Sequence, residues 1–291
     1  MRLALALLVG ALAAAPATAI DTPPQPRTWA FAIGGDQLNG DADAVAARLS
    51  PFDLVVIDGE GATPADIAAI QADGTLVLGY LSVGTIEKFR SWYPKLRRYR
   101  LEADKDWEDE WFADVSKRGL RRAFRKRIAP KLLAKGFDGL FLDNVAMVSA
   151  RKYRAQRAGM RKLVFSLAGL VHADDEMLFA QNGFGIFNKL HLFDVLDGWN
   201  SESVTWTFDD HHHYFRNSDQ DIGFTTDELR RAVAKGIIVT ATDYTGAGDD
   251  NAAQESVANA CAAGALPYVS DWKLSAGRLP NPPLHCGEAS G

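Results

Sequence analysis

Two acids stand out for the company they keep. Asp143 and Asn144 close the run "GLFLDN" (139–144), and Glu202 sits in "WNSES" (199–203), each at the end of a stretch that reads as a buried strand. An ionised carboxylate is costly to bury without compensation, so these strands must deliver their acids to a pocket where other polar groups gather. The arrangement recurs: Asp36, Asp58 with Glu60, Tyr80 with Ser82, Gln181 with Asn182, Asn200, Thr242 with Asp243, and Asp271 all close apolar runs. A single Asp or Asn in such a place more often caps a helix or makes a turn. Repetition at every strand end favours a shared site. Carboxyls crowded at one mouth repel one another, which leaves one protonated and another ionised at working pH. Glycoside hydrolysis needs little else: one acid protonates the leaving oxygen while the other faces the anomeric carbon or activates water. Trp199 and Trp272, beside two of these strand ends, are candidates to stack on sugar rings.

Other chemistries lack their residues. No C-x-x-C, H-E-x-x-H, G-x-G-x-x-G or P-loop spacing occurs, and "DDHHHYF" (209–215) reads as a polar loop rather than a ligand set. No metal and no cofactor is expected. The net charge is -5, yet about 22 of the 32 Lys and Arg lie between Lys88 and Lys162; their helical spacing suits solvated outer faces, and no nucleic-acid motif accompanies them.

The elements that would position the acids alternate. Strands are expected at 28–35, 53–61, 75–84, 139–144, 177–183, 195–203, 236–244 and 265–272, separated by helical patterns such as "TPADIAAIQADG", "RGLRRAFRKRIAPKLLAKG", "AQRAGMRKLVFSLAGLVHA", "TTDELRRAVAKG" and "NAAQESVANACAAG". Eight strands with helices between them predict an α/β fold of the (β/α)8 TIM-barrel type, whose C-terminal strand ends form one face and carry the active site. Two irregularities are expected: an elaborated loop from Thr85 to Val115, and an irregular or missing last helix, because only a Pro-rich tail follows "YVSDWKLS".

The first nineteen residues read differently. A basic start, the apolar run "LALALLVGALAAA" and Ala17-Thr18-Ala19 make a secretory signal cleaved near Ala19. Residues 20–291 then form a single barrel domain, exported to the periplasm or beyond, with no later segment apolar enough to insert in a membrane. In an oxidising compartment Cys261 and Cys286 are expected to pair, tying the tail to the last helix.

The order of "FDLVVIDGEGATPADIAAIQADGTLVLGYLSVG", "GFDGLFLDNVA", "FAQNG" and "WNSES" between about Trp29 and Asp271 resembles the endo-α-1,4-polygalactosaminidases, glycoside hydrolase family 114. The resemblance implies a TIM barrel cleaving α-1,4-linked galactosamine-containing polysaccharide, with Asp143 and Glu202 as the catalytic pair and Asp58, Tyr80, Asn182 and Asp243 lining the cleft. Glu60, Ser82, Asn144, Trp199, Asp271 and Trp272 complete the candidate substrate site from their positions at strand ends. One departure is visible: where the family often reads "YLSVGE", this chain has "YLSVGTIEKFR", with Thr85 after Gly84 and Glu87 two positions on. The expected roles are Asp143 ionised and Glu202 protonated, or the reverse. An acidic mouth would also attract a cationic amino sugar. The alternative is a non-catalytic carbohydrate-binding barrel, which would keep the aromatic platform and polar rim without needing both acids.

Overall fold

The computed structural model describes residues 25–287; the secretory-signal reading therefore lies outside the described residues. Eight parallel strands line up in chain order: β1 (Trp29–Ala32), β2 (Leu54–Asp58), β3 (Leu76–Ser82), β4 (Gly139–Asp143), β5 (Met177–Gln181), β6 (Gly198–Glu202), β7 (Ile238–Tyr244) and β8 (Leu266–Ser270). All eight coincide with strands read from the sequence. β8 returns to β1, where the Trp29 indole Nε1 donates to the Leu266 carbonyl over 2.9 Å. The result is a nearly closed TIM barrel.

Helices Ala42–Leu49, Pro64–Gln71, Arg157–Val171, Phe184–Leu190, Asp219–Val233 and Asp250–Ala262 follow strands β1, β2, β4, β5, β6 and β7, and the pair Arg118–Ala123 and Ala129–Leu133 precedes β4. A widened turn, Phe124–Ile128, joins that pair; such a bulge accommodates Pro130, which cannot donate a backbone hydrogen bond. In the layer around the barrel two helices go beyond the sequence reading, Ala42–Leu49 and Phe184–Leu190. Both are short, and the first is started by the Asp41 side chain, which accepts from Ala44 N. Among the described residues after β8 there is only a single 3₁₀ turn, Ala276–Arg278, and a disulfide between Cys261 and Cys286 holds the tail to helix Asp250–Ala262. Among the described residues no helix is long and apolar enough to cross a membrane.

Strand periodicity decides what faces inward. Successive side chains alternate between the barrel lumen and the helix layer. Phe31, Tyr80 and Phe141 meet inside, with ring centroids 5.1 Å apart for Phe31 and Phe141 and 6.2 Å for Phe31 and Tyr80. This aromatic plug supports the floor on which the polar groups stand.

Two elaborations rise from the C-terminal face. The β3–β4 connection folds into an antiparallel sheet in which Glu110–Ala113 lies between Thr85–Glu87 and Arg100–Ala103. The β6–β7 connection makes a hairpin, Trp206–Phe208 against Tyr214–Arg216.

Candidate active site

A cleft of about 1160 Å³ opens between these elaborations, over the C-terminal strand ends. Among the described residues its acids are Asp58, Glu60, Glu87, Glu110, Asp143 and Glu202, against one cation, Arg90. Phe89, Trp107, Phe208 and Trp272 supply aromatic surface.

Asp143 ends β4 and points into the lumen. Its Oδ2 accepts from the Tyr80 hydroxyl (2.5 Å), and its Oδ1 accepts from Gln181 Nε2 (2.8 Å) and from the Asn144 backbone N–H (2.5 Å). Burial pushes its pKa up, while these three donors oppose the rise. Three donors with no acceptor opposite fit the ionised form, which only accepts. Behind it the network continues: Asn200 Nδ2 donates to Gln181 Oε1 (3.2 Å), and Asn200 Oδ1 accepts from Thr240 (3.0 Å) and Thr242 (3.3 Å). Asn200 is fully buried and has its polar atoms engaged. A fixed Asn200 fixes Gln181, and Gln181 fixes Asp143.

Glu202 ends β6. Its Oε1 accepts from the Tyr244 hydroxyl and its Oε2 from Asn182 Nδ2 (2.8 Å), while its own N–H donates to Asn182 Oδ1 (3.0 Å). Burial first, and the charge of Asp143 second, raise its pKa to about 7, with Tyr244 and Asn182 opposing. Each acid is thus held by one tyrosine and one carboxamide from neighbouring strands. At neutral pH Glu202 is the acid that retains its proton for a substantial fraction of the time.

The backbone repeats one device beneath both. Immediately after β4, β5 and β6, Asn144, Asn182 and Ser203 adopt left-handed conformations, with φ of 57°, 59° and 57°. A residue in this region turns the chain sharply; Asn tolerates it, whereas Ser does so at a cost of about 1 kcal/mol or more. The turn after Asp143 also brings Asn144 so near Gly84 that a Cβ there would lie 1.9 Å from the Asn144 carbonyl oxygen. Only glycine fits that contact.

On the β3 side the wall is an ion cluster. Arg90 is buried, pairing through NH1 with Asp58 (2.6 Å) and through Nε and NH2 with Glu87 (2.8 and 3.1 Å). Burial also raises the Glu87 pKa, with Arg90 pulling the other way.

Of the twelve residues assigned from sequence to the catalytic pair or the substrate site, Asp58, Glu60, Tyr80, Asp143, Asn144, Asn182, Glu202 and Trp272 line the cleft. Four do not. Trp199 is fully enclosed behind the sheet against Phe184 and Phe193, its indole N–H donating to the Asn182 carbonyl (3.0 Å), so it offers no face to a sugar. The alternation that turns Asn200 and Glu202 inward turns Trp199 outward. Asp243 faces outward too, and is 2% exposed; it accepts from Thr205 N (2.9 Å) and Trp206 N (3.3 Å), anchoring the hairpin, and burial raises its pKa to about 6. Ser82 is buried under Asn144 and Thr85, and Asp271 accepts from Ser275 N to close the turn after β8. Conversely, Tyr244, Glu87, Arg90 and Glu110 belong to the cleft although sequence reasoning had not placed them among its lining, and so does Gln181, read as a strand-end polar group but given no place in the substrate site. Tyr244 shares the inward parity of Thr240 and Thr242 and was readable on that ground.

A parallel eight-stranded barrel with an acidic, aromatic-lined cleft at its C-terminal face is the architecture of a TIM-barrel glycoside hydrolase. The chain belongs to glycoside-hydrolase family GH114, matching it over residues 10–282. A Deinococcus radiodurans protein described as uncharacterized is 31% identical over 162 residues; the match covers 50% of this chain and 50% of that protein, so the chain spans about half the length of the curated relative it matches. Among solved structures, the glycoside hydrolase domain of PelA from Pseudomonas aeruginosa superposes with a TM-score of 0.71 at 24% identity, covering 86% of this chain and 96% of that one. Ega3 of Aspergillus fumigatus, solved in complex with galactosamine, gives 0.64 at 19%, covering 90% and 98%. The α-galactosidase TtGalA from Thermus thermophilus gives 0.55 at 14%, covering 84% and 58%. At these identities the structures speak for the fold; family membership makes the protein a glycoside hydrolase.

Proposed function

We propose that this enzyme is exported and cleaves α-1,4-linked galactosamine-containing polysaccharide internally, with Asp143 as the ionised carboxylate facing the anomeric carbon and Glu202 as the proton donor. The contrast between the two carboxyls carries the assignment of roles: three donors, one of them a backbone N–H, converge on Asp143, whereas Glu202, equally half-buried, accepts from two side chains and is pushed up by burial and further, to about 7, by the Asp143 charge. In the reaction the glycosidic oxygen takes the Glu202 proton as its bond to the anomeric carbon breaks, the positive charge developing on the sugar faces Asp143, and water supplies the replacing oxygen, either directly with Asp143 taking its proton or after Asp143 has bonded to the carbon, with Glu202 taking that proton. Tyr80, Gln181 and Asn144 keep Asp143 in place, and Tyr244 with Asn182 orient Glu202.

Two observations support an amino sugar as substrate. Six acids surround the cleft against one already paired arginine, and the similar fold of Ega3 was solved with galactosamine. The cleft lies between two raised walls, a shape suited to a polymer crossing it and hence to internal cleavage. Export rests on the leader read at residues 1–19 and agrees with the Cys261–Cys286 disulfide, a bond typical of oxidising compartments; N-terminal sequencing of protein recovered outside the cytoplasm should begin at Ile20, and residues 20–291 should constitute the single working domain.

The decisive experiment is mass spectrometry of products from α-1,4-galactosamine polymer, deacetylated and acetylated, with wild type and Glu202→Gln. Oligosaccharides from wild type alone are expected. Binding without release from either polymer would instead favour a carbohydrate-binding barrel.

A further inference from the structure

At Thr85, where the resembling motif often has a glutamate, the neighbouring strand brings a carboxyl close. Strand Thr85–Glu87 pairs antiparallel with Glu110–Ala113, Thr85 opposite Phe112 and Glu87 opposite Glu110. Residues opposite or diagonal on one face of such a pair are neighbours, which puts Glu110 beside both Glu87 and Thr85. The Thr85 hydroxyl itself lies 2.6 Å from Ser82 Oγ. Like charges directly opposite are unfavourable, and the two glutamates resolve this unequally. Glu87 takes two nitrogens of Arg90, and the third goes to Asp58. Among the described residues Glu110 has no ion-pair partner, yet it lines the cleft alongside Asp143.

We propose that Glu110 receives the cationic amino group of the substrate sugar, a carboxylate supplied from the neighbouring strand to the place that Thr85 leaves without one. This rests on the galactosamine reading above. Burial, then Glu87 and Asp143, raise the Glu110 pKa to about 7 while Thr85 lowers it. An ammonium seated there favours the ionised form and satisfies it with a charge-assisted hydrogen bond. An N-acetyl group carries no charge and cannot do so. Glu110 therefore sets the preference for the free amine over the acetylated sugar.

The test uses the Glu202→Gln protein, which removes the proton donor. An α-1,4-galactosamine tetrasaccharide and its N-acetylated counterpart are titrated into it calorimetrically at pH 6.5, in two buffers of different ionisation enthalpy. The amine sugar should bind with proton release. Adding Glu110→Gln should weaken amine binding at least tenfold and abolish that release while leaving the acetylated sugar unchanged, and Glu110→Asp, which keeps the charge, should retain the preference. Equal weakening for both sugars, or an unchanged affinity for the amine, overturns the role of Glu110 and leaves the hydrolase reading standing. If neither sugar binds the Glu202→Gln protein, the substrate reading falls and the role of Glu110 falls with it.

Discussion

Replacing Tyr244 by Phe separates the roles of the two acids. The Tyr244 hydroxyl donates to Glu202 Oε1 and favours its ionised form, opposing the burial and the Asp143 charge that raise its pKa to about 7. A hydrogen bond to a charged group contributes roughly 1.5–3 kcal/mol net, and one pKa unit corresponds to about 1.4 kcal/mol. Losing it should raise the Glu202 pKa by about 1–2 units. The sign is definite: a donor to the carboxylate has gone, so the proton is held more tightly. If Glu202 is the general acid, activity on the high-pH side depends on its remaining protonated, and the alkaline limb of kcat/KM should move upward by that amount. Tyr80→Phe removes a donor from Asp143, and should instead move the acidic limb upward, because Asp143 must be ionised to act. The assay is a pH profile of reducing-end release from galactosamine polymer for the three proteins. An alkaline limb that follows Tyr80→Phe, and stays put in Tyr244→Phe, would refute the assignment and exchange the roles.

Arg90→Met removes the only cation of a buried cluster and leaves Glu87 and Asp58 facing each other; breaking a buried pair costs about 3–5 kcal/mol, which a melting curve at pH 7 should register as a fall of roughly 6–20 °C for a domain of this size. The deficit should shrink at acid pH as Glu87, whose pKa burial already raises, takes up a proton. Trp272 lines the cleft and stacks on His212 with ring centroids 3.6 Å apart at 12°. Losing this aromatic platform in Trp272→Ala should raise KM for polymer about tenfold, from roughly 1–1.5 kcal/mol of lost stacking, with kcat nearly unchanged; steady-state kinetics would show it, and a fall in kcat alone would place Trp272 outside substrate binding.

How much of this was legible beforehand depended on sequence distance. Each barrel strand is a short apolar run with its polar group attached, so the eight strands, and Asp143 and Glu202 at their ends, could be read locally. The parity of each strand was equally local: with Glu202 inward, Trp199 must face out, and with Tyr244 inward, Asp243 must too. Choosing residues for their chemistry without applying that parity put Trp199 and Asp243 in the cleft, where the fold does not. Glu110 and Arg90 were another matter. Arg90 reaches Asp58 across 32 positions, and Glu110 meets Thr85 and Glu87 only once the β3–β4 connection has paired with itself in one register. No run of neighbouring residues encodes that pairing. The sequence by itself determined which acids the strands would carry and, through alternation, which way they would point. The tertiary structure decided which charges are compensated, because burial and the reach of Arg90 are properties of the assembled mouth: Glu87 and Asp58 receive a cation there, and Glu110 is left without one.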